Sequence, residues 1–327
     1  MKKVYFLLFV ILTSGCITMQ TSPQTKNTGV VIESFVTDMQ EVYSGEPVSF
    51  RVKIKNTGSV DAKNVFAELY GLDESWCEST KTCDQRTHEL FPTEKECRYD
   101  TDGFVLNAPN PLTGSQGDSH VCTWNYVAPE IDPDFSIRYT PKVGVYYTYK
   151  TITTASITLL PQKELIRIKD SGASLPSETV SSTNSPIRIN IQTHSPIRYW
   201  KDTDTIVTPV KITITNTGNG FPCYGKTENP PHRSCKATKC KNCKNKVNLR
   251  IISFDNDITI GGDCIEITNK PIYLPFGKTN SFVCYIQIIN PPKYTPVQKE
   301  IRAEAVYEYY TEKQISLTLK GSRTKLS

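Results

Sequence analysis

Two nine-residue stretches of nearly the same sequence start at positions 50 and 210: FRVKIKNTG, from Phe50 to Gly58, and VKITITNTG, from Val210 to Gly218. Apolar side chains alternate with polar ones in both, which is the period of a half-buried β-strand. Both stretches close with Asn-Thr-Gly. Because Asn and Gly tolerate positive φ, this motif predicts a strand that ends in a tight reversal.

The same offset returns near the end of each half of the chain. YTYKTITTASITL, which starts at Tyr147, aligns without a gap on YEYYTEKQISLTL, which starts at Tyr307. A register shared over so long a unit predicts duplication of a whole domain, and 327 residues are enough for two. The predicted segments are a signal peptide (1–16), a tether (17–28), a first domain (29–170), a Ser/Thr/Pro-rich linker (171–185) and a second domain (186–327).

Short alternating runs, frequent turn residues and the lack of long helical patterns predict an all-β fold. We expect two tandem immunoglobulin-like antiparallel β-sandwich domains, each with a Cys-rich loop insertion. In the first domain the segment KELIRIKD, from Lys163 to Asp170, is predicted as a last strand extension.

The segment from Gly45 to Tyr70, GEPVSFRVKIKNTGSVDAKNVFAELY, carries a family resemblance. It resembles the CARDB type and related immunoglobulin-like repeats of archaeal and bacterial surface proteins, in which Gly-Glu opens the strand and Asn-Thr-Gly closes it. The resemblance implies an immunoglobulin-like fold and an envelope or adhesion setting. It names no ligand, because a fold of this kind serves many functions.

The N-terminus has the layout of a secretory signal: Lys2 and Lys3, an apolar run from Val4 to Leu12, then small residues before Cys16. The stretch LTSGC resembles the lipobox of prokaryotic lipoproteins, although its Leu lies one position farther from the Cys than usual. We therefore expect Cys16 to be lipidated and the protein to be anchored by lipid to the membrane at the cell surface. An ordinary secreted protein and an uncleaved anchor are the alternatives.

Ten cysteines remain of the eleven when Cys16 is set aside, and an even number in a secreted chain predicts disulfides. Cys122 and Cys284 open equivalent late strands, SHVCTWNYV and SFVCYIQII, and we expect them to pair with Cys77 and Cys264. Cys83 and Cys97 are further candidates in the first half. Three pairings stay open among Cys223, Cys235, Cys240 and Cys243. The alternative for that segment is a zinc site formed by His232, Cys235, Cys240 and Cys243, but an oxidising compartment favours disulfides.

The sequence contains none of the common catalytic motifs, so we expect neither catalysis nor a cofactor. It predicts a non-enzymatic surface lipoprotein that acts as a binding, adhesion or structural module of the envelope. A non-catalytic subunit of a larger filament or transport assembly is the alternative. Two Tyr-rich runs are expected to pack between the sheets, or else to form an aromatic binding face. These runs contain Tyr146, Tyr147, Tyr149, Tyr307, Tyr309 and Tyr310.

The two Cys-rich insertions carry opposite charge. The segment from Asp73 to Asp102 contains nine acidic and four basic residues. The segment from Cys223 to Arg250 contains eight basic residues and one acidic residue. The insertions are either solvated loops or contact surfaces for a protein or an anionic envelope component; the compartment argues against nucleic acid. Because they are predicted at opposite ends of their domains, head-to-tail self-association is a further possibility. The basic contact loop consists of Arg233, Lys236, Lys239, Lys241, Lys244 and Lys246.

Overall fold

The computed structural model describes residues 28–78, 96–97, 103–224 and 243–322. The signal peptide, Cys16 and nearly all of the tether lie outside these ranges. Most described residues belong to β-strands that pack as sandwiches, which confirms the predicted all-β class. No helix within the described ranges is long and apolar enough to cross a membrane.

The strands divide between the two halves of the sequence. Those of the first half are β1 (Val30–Thr37), β2 (Glu41–Tyr43), β3 (Pro47–Asn56), β4 (Ala62–Tyr70), β5 (Cys77–Glu78), β6 (Glu96–Cys97), β7 (Phe104–Leu106), β8 (Ser119–Val127), β9 (Ser136–Tyr139) and β10 (Lys142–Pro161). Those of the second half are β11 (Thr179–Ser182), β12 (Ile187–Gln192), β13 (Ile197–Tyr199), β14 (Thr205–Asn216), β15 (Phe221–Cys223), β16 (Lys246–Ser253), β17 (Ile258–Ile260), β18 (Ile272–Tyr273), β19 (Thr279–Ile289), β20 (Val297–Gln314) and β21 (Leu317–Lys320). Two short helices, α1 (Gln162–Asp170) and α2 (Gly262–Thr268), and a 3₁₀ turn (Pro275–Gly277) complete the elements.

Each half has a four-stranded sheet of its own, in the order β1-β3-β8-β5 and β12-β14-β19-β17. The two organising strands predicted from the repeat are β3 and β14, and each lies in the middle of its sheet. A ten-stranded sheet, built around the order β18-β16-β20-β10-β4-β6, contains strands from both halves. A three-stranded sheet has the order β2-β21-β9. One continuous apolar core contains residues of all four sheets.

The two halves are joined by β10 and β20, which pair antiparallel from Lys142 opposite Gln314 to Leu159 opposite Val297. In this register Tyr147 lies opposite Tyr309, and Tyr149 lies opposite Tyr307. Because Tyr307 and Tyr309 are the repeat equivalents of Tyr147 and Tyr149, the pairing is self-complementary and relates the halves by an approximate two-fold axis. The two halves therefore pack against each other as the subunits of a dimer do, within one chain.

The last strand of each half crosses to the other half. Strand β21 pairs with β2 and β9 of the first half. Its repeat equivalent, the end of β10, pairs in parallel with β13 of the second half, with Leu159 opposite Ile197. The predicted boundaries at 170 and 186 thus divide the sequence but not the fold, because each half is completed by the final strand of the other.

The Asn-Thr-Gly motif works differently from the prediction, since neither Asn56 nor Gly58 has a positive φ. The buried Asn56 amide donates to the carbonyls of Val60 (2.8 Å) and Leu106 (2.9 Å), and its oxygen accepts from the Gly58 amide (3.1 Å). A Cβ at Gly58 would overlap the Tyr149 hydroxyl. The motif is therefore a side-chain clamp with a glycine that admits a tyrosine, and Asn216, Gly218 and Tyr309 repeat it.

Two segments differ from the predicted secondary structure. KELIRIKD forms α1 rather than a strand: Pro161 precedes the helix, Leu165 is buried, and Arg167 pairs with Glu164 one turn earlier. The predicted linker contains β11, which pairs with Thr153 to Ser156 of β10. Its Ser and Thr side chains are compatible with an edge strand, and composition alone did not show this.

Candidate functional site

Disulfide-bonded cysteines lie at the described edges of both Cys-rich insertions. Cys264 and Cys284 are bonded, as predicted. Cys122 is bonded to Cys97, so the predicted Cys77–Cys122 pair is wrong. Cys77 lies on β5 opposite Val127, five residues along β8 from Cys122. That separation is about 17 Å at the rise of a strand, well beyond the reach of a disulfide.

Of the four proposed zinc ligands, the structure describes only Cys243, and this residue contradicts the zinc alternative. Cys243 is disulfide-bonded, as is Cys223, so its sulfur is not a free thiolate for a metal. His232, Cys235, Cys240 and Cys83 lie outside the described residues. Cys97, His120 and Cys122 form a close group, but the two sulfurs are bonded to each other.

The two insertions are attached to the ten-stranded sheet at the same level, that is, at residues that lie opposite one another on neighbouring strands. Cys97 pairs with Ala67, Ala67 with Val145, and Val145 with Thr311. Phe221 lies on β15, the strand that leads into the second insertion at Cys223. It pairs with Tyr310, the residue before Thr311. The attachment points are four strands apart, about 19 Å at the usual strand spacing.

The attachment points differ from what the head-to-tail hypothesis assumed, namely insertions at opposite ends. The insertions do follow different strands of their halves, β4 in the first and β14 with β15 in the second. Since β10 and β20 are antiparallel, opposite ends of the two halves lie on the same side of the molecule. The described attachment points of both insertions therefore lie on one side of the chain, and self-association stays a prediction.

A row of aromatic side chains lies between the two attachment points, on the face of the sheet opposite the core. Phe66 stacks on Tyr146 (centroids 4.7 Å apart), Tyr146 contacts Tyr310 (4.7 Å), and Tyr310 contacts Phe221 (4.9 Å). Lys244 of the predicted basic contact loop lies over the Phe221 ring, 4.0 Å from its centroid. We call these four rings the aromatic row. Buried Cys223 packs into it, and so does the half-buried Cys243.

A carboxylate borders the aromatic row. Glu312 accepts hydrogen bonds from the hydroxyls of Tyr310 (2.6 Å) and Tyr70 (2.8 Å), and Lys142 lies 4.0 Å away. These hydrogen bonds, Tyr310 first and then Tyr70, lower the pKa of Glu312. Burial raises the pKa values of Tyr70 and Tyr310, so the phenols remain donors. The position where the second insertion begins thus carries a fixed negative charge.

The other tyrosines face the core, as the favoured prediction held. Tyr147, Tyr149, Tyr307 and Tyr309 are almost fully buried and meet around the approximate two-fold axis. Burial raises the pKa of all four hydroxyls, that of Tyr149 to about 12. Alternation along β10 and β20 separates these four from Tyr146 and Tyr310. The sequence placed all six tyrosines together but did not show this division.

Of the predicted basic contact loop, the structure describes only Lys244 and Lys246. Lys244 is exposed, whereas Lys246 is half-buried at the start of β16. Arg233, Lys236, Lys239 and Lys241 lie outside the described residues. So does most of the acidic insertion, including Glu89 and Glu94.

The comparisons with known proteins identify no family. No family model and no curated protein matches the chain. Among solved structures, a Salmonella alpha-2-macroglobulin mutant, Y1175G, aligns with 90% of this chain at 8% identity and a TM-score of 0.22, and the chain spans 23% of its length. The CupB6 tip adhesin from Pseudomonas aeruginosa aligns with 90% of this chain and 96% of its own, at 8% identity and a TM-score of 0.13. Similarity at this level assigns the chain to neither protein.

Proposed function

We propose that this chain is a non-catalytic lipoprotein of the cell surface, held to the membrane through Cys16. In this proposal it binds a protein or an anionic component of the envelope through its two charged insertions. The attachment of both insertions to one row of the shared sheet is the observation that carries the proposal. It makes them one contact surface instead of two unrelated loops.

The rigidity of this attachment supports a binding role. Disulfides hold Cys97 at the first insertion and Cys223 and Cys243 at the second. The aromatic row packs with Cys223 and Cys243, and Lys244 lies over Phe221. Attachment points that are ordered before a partner binds lose less conformational entropy on binding. Charges of both signs then favour specificity and fast association over affinity alone.

The setting follows from the chemistry of the cysteines and from the sequence resemblance. Disulfides persist in oxidising compartments outside the cytoplasm. The resemblance of Gly45 to Tyr70 to CARDB-type repeats fits an envelope protein, and the LTSGC stretch supplies an anchor. Stable anchoring of this kind needs two or more acyl chains, since one chain binds a membrane only marginally.

One experiment tests the anchor and the contact surface together. Cys16→Ser should move the folded protein from the membrane fraction to the soluble fraction, because both halves lie beyond the tether. The soluble protein should rebind saturably to washed envelopes at low salt. Adding Lys239→Glu, Lys241→Glu and Lys244→Glu should weaken rebinding at least tenfold, while Lys211→Glu on the exposed face of β14 serves as the control.

Three results would count against this proposal. Membrane retention of the Cys16→Ser protein would show that the apolar segment is itself the anchor. Equal rebinding of the triple variant would exclude the basic insertion as a contact. A single protein recovered at one-to-one stoichiometry in mild detergent, with no binding to anionic material, would identify the chain as a subunit of a larger assembly.

A further inference from the structure

The two halves place three hydroxyl side chains at equivalent positions beside the approximate two-fold axis. Each set combines residues of both strands β10 and β20, and the first set consists of Tyr307 of β20, Thr151 of β10 and Ser185. The Thr151 hydroxyl lies 3.0 Å from that of Tyr307 and 2.8 Å from that of Ser185. Ser185 also donates to the Ile187 carbonyl at 2.7 Å. All three residues are fully buried, and their hydroxyls form a closed network.

The second set has hydroxyls at the same three places, with Tyr147 on β10 and Thr311 on β20. Tyr147 and Thr311 match Tyr307 and Thr151 by the repeat offset. Thr28 matches Ser185, because the residues that follow them, Gly29 and Pro186, accept equivalent hydrogen bonds at 2.8 Å. Among the described residues, the buried Thr28 hydroxyl has no hydrogen-bond partner, and the buried Tyr147 hydroxyl lies near the backbone amide of Val30 without a side-chain partner. The side-chain network that is closed around Tyr307 is open around Tyr147.

A cavity of about 260 Å³ occupies this open position, and Thr28, Tyr147 and Thr311 all line it. Val30 and Ile32 provide apolar wall, and the remaining lining comes from Val31, Asn219, Tyr309, Glu312 and Lys313. One water molecule takes about 30 Å³ of liquid, so the space is several times larger than a single water needs. It is slightly smaller than the usual range for drug-sized ligands, about 300–1,000 Å³.

We propose that this cavity binds a small neutral molecule rich in hydroxyl groups, such as a monosaccharide or a polyol. Hydroxyl groups both donate and accept, so a ligand of this class can satisfy Tyr147 and Thr28 at once. The C–H faces of such a ligand can pack on aromatic rings and on Val30 and Ile32. Leaving buried hydroxyls unpaired is costly, which favours an occupant that pairs with them.

The charges around the cavity favour a neutral ligand. Glu312 already accepts from Tyr70 and Tyr310 and lies near Lys142. Lys313 is exposed to solvent. Burial keeps Tyr147 protonated by raising its pKa. Of the two charged residues that line the cavity, Glu312 is already paired and Lys313 is screened by water, so a charged ligand would gain little there.

The repeat supplies a matched control. Full-length Cys16→Ser protein, soluble without lipid, is titrated with glucose, galactose, N-acetylglucosamine, mannitol and glycerol, and binding is followed by saturation-transfer NMR. At least one probe should bind saturably, and Tyr147→Phe should weaken it two- to tenfold. Tyr307→Phe removes the equivalent hydroxyl from the closed network, so it should lower the melting temperature without changing the affinity. Thr28→Val should weaken binding as Tyr147→Phe does.

Any of four results would overturn the proposal. One is the absence of saturable binding by every probe. Another is equal weakening by Tyr147→Phe and Tyr307→Phe, which would place the ligand elsewhere. A crystal structure with only water at Tyr147 and Thr28 under saturating probe would be a third. The fourth is probe binding that appears only after deletion of residues 17–27, which would show that the chain's own N-terminal segment fills the cavity.

Discussion

The two halves share their strand order, their Asn-Thr-Gly clamp and their tyrosine pair. They differ in which part of the chain supplies the final strand that completes, or closes, each half. The first half is closed by β21, which lies within the last eleven residues of the sequence. The second half is closed by the end of β10, in the middle of the chain. The two halves are therefore interlocked, and each needs residues from the other.

The final strand of each half crosses to the other half for a physical reason. The reason lies in the sequence just before that strand. A half that closed on itself would need a turn near Lys150 to Ser156, where the chain reads KTITTAS. This stretch has no Gly, Pro, Asn or Asp to form a turn, and it is rich in β-branched residues that favour an extended strand. The strand therefore continues straight and reaches the neighbouring half. The equivalent TEKQIS, from Thr311 to Ser316, likewise lacks those turn residues.

The largest expected effect comes from the closing strands. Leu317 and Leu319 of β21 are fully buried, and so are their equivalents Ile157 and Leu159 in β10. Leu317→Ala with Leu319→Ala should cost about 4–10 kcal/mol, since each buried Leu→Ala change costs about 2–5 kcal/mol. The first half should lose its packing. Tryptophan fluorescence should report this, because Trp76 and Trp124 are buried in the first half and Trp200 is exposed in the second.

The matched variant is Ile157→Ala with Leu159→Ala, which should destabilise the second half by a similar amount. Its effect on Trp76 and Trp124 should be smaller at the same denaturant concentration. If the first-half tryptophans respond equally to both variants, the halves unfold as one cooperative unit. If the β21 variant leaves the fluorescence unchanged, the exchange does not close the first half.

The next effect tests whether the tyrosine layer couples the halves. The tyrosines are Tyr147, Tyr149, Tyr307 and Tyr309, and burial raises the pKa of each. Because an unfolded tyrosine has a pKa near 10, the unfolded chain loses protons above that pH while the folded chain keeps them. Their stabilising contribution is complete below about pH 10 and is lost as pH rises through the folded values.

The expected loss is about 1.4 kcal/mol per tyrosine per pH unit, or about 5 kcal/mol for the four together. Urea unfolding should be measured between pH 9 and 11.5 by fluorescence, which reports the first half, and by far-ultraviolet circular dichroism, which reports both. The midpoints of the two signals should fall by the same amount as pH rises, because the tyrosine layer contains residues of both halves. Midpoints that separate with pH would show that the tyrosine layer belongs to one half more than to the other.

The sequence predicted the all-β class because the alternation of apolar and polar residues is a local signal. It also predicted the Cys264–Cys284 disulfide, whose partners are close in sequence and lie within the same half. It failed for Cys122, because the partner depends on where β5 and β6 attach to neighbouring strands. Those attachments are set by long-range pairing.

The sequence also did not predict the exchange of final strands or the open hydroxyl site at Tyr147 and Thr28. The absence of turn residues in KTITTAS was visible in the sequence, but its significance appears only once a partner strand is present. Thr28 and Ser185 look interchangeable in sequence, as do Tyr147 and Tyr307. Their different pairing follows from the surroundings, such as β11, where the Ser182 hydroxyl lies 2.8 Å from that of Thr153 beside the closed network.

The smallest effect compares the two Asn clamps. Asn56 is fully buried, whereas Asn216 is half-buried, although both hold two carbonyls and a glycine amide. Asn56→Ala leaves these groups without a partner and without access to water, so we expect a loss of about 2–3 kcal/mol. Asn216→Ala should cost about 1–2 kcal/mol, since water can replace part of the amide. Urea denaturation of both variants measures the difference.

A double-mutant cycle with the clamp tyrosines sharpens this comparison. The Tyr309 hydroxyl donates to Asn216 at 2.8 Å, while the Tyr149 hydroxyl lies 3.4 Å from the Asn56 oxygen. Asn216→Ala with Tyr309→Phe should therefore show a coupling of about 1 kcal/mol, and Asn56→Ala with Tyr149→Phe about half of that or less. The order is thus opposite to that of the single variants, because burial sets the cost of losing the amide and hydrogen-bond length sets the coupling. Couplings in the same order as the single losses would mean that burial alone decides both.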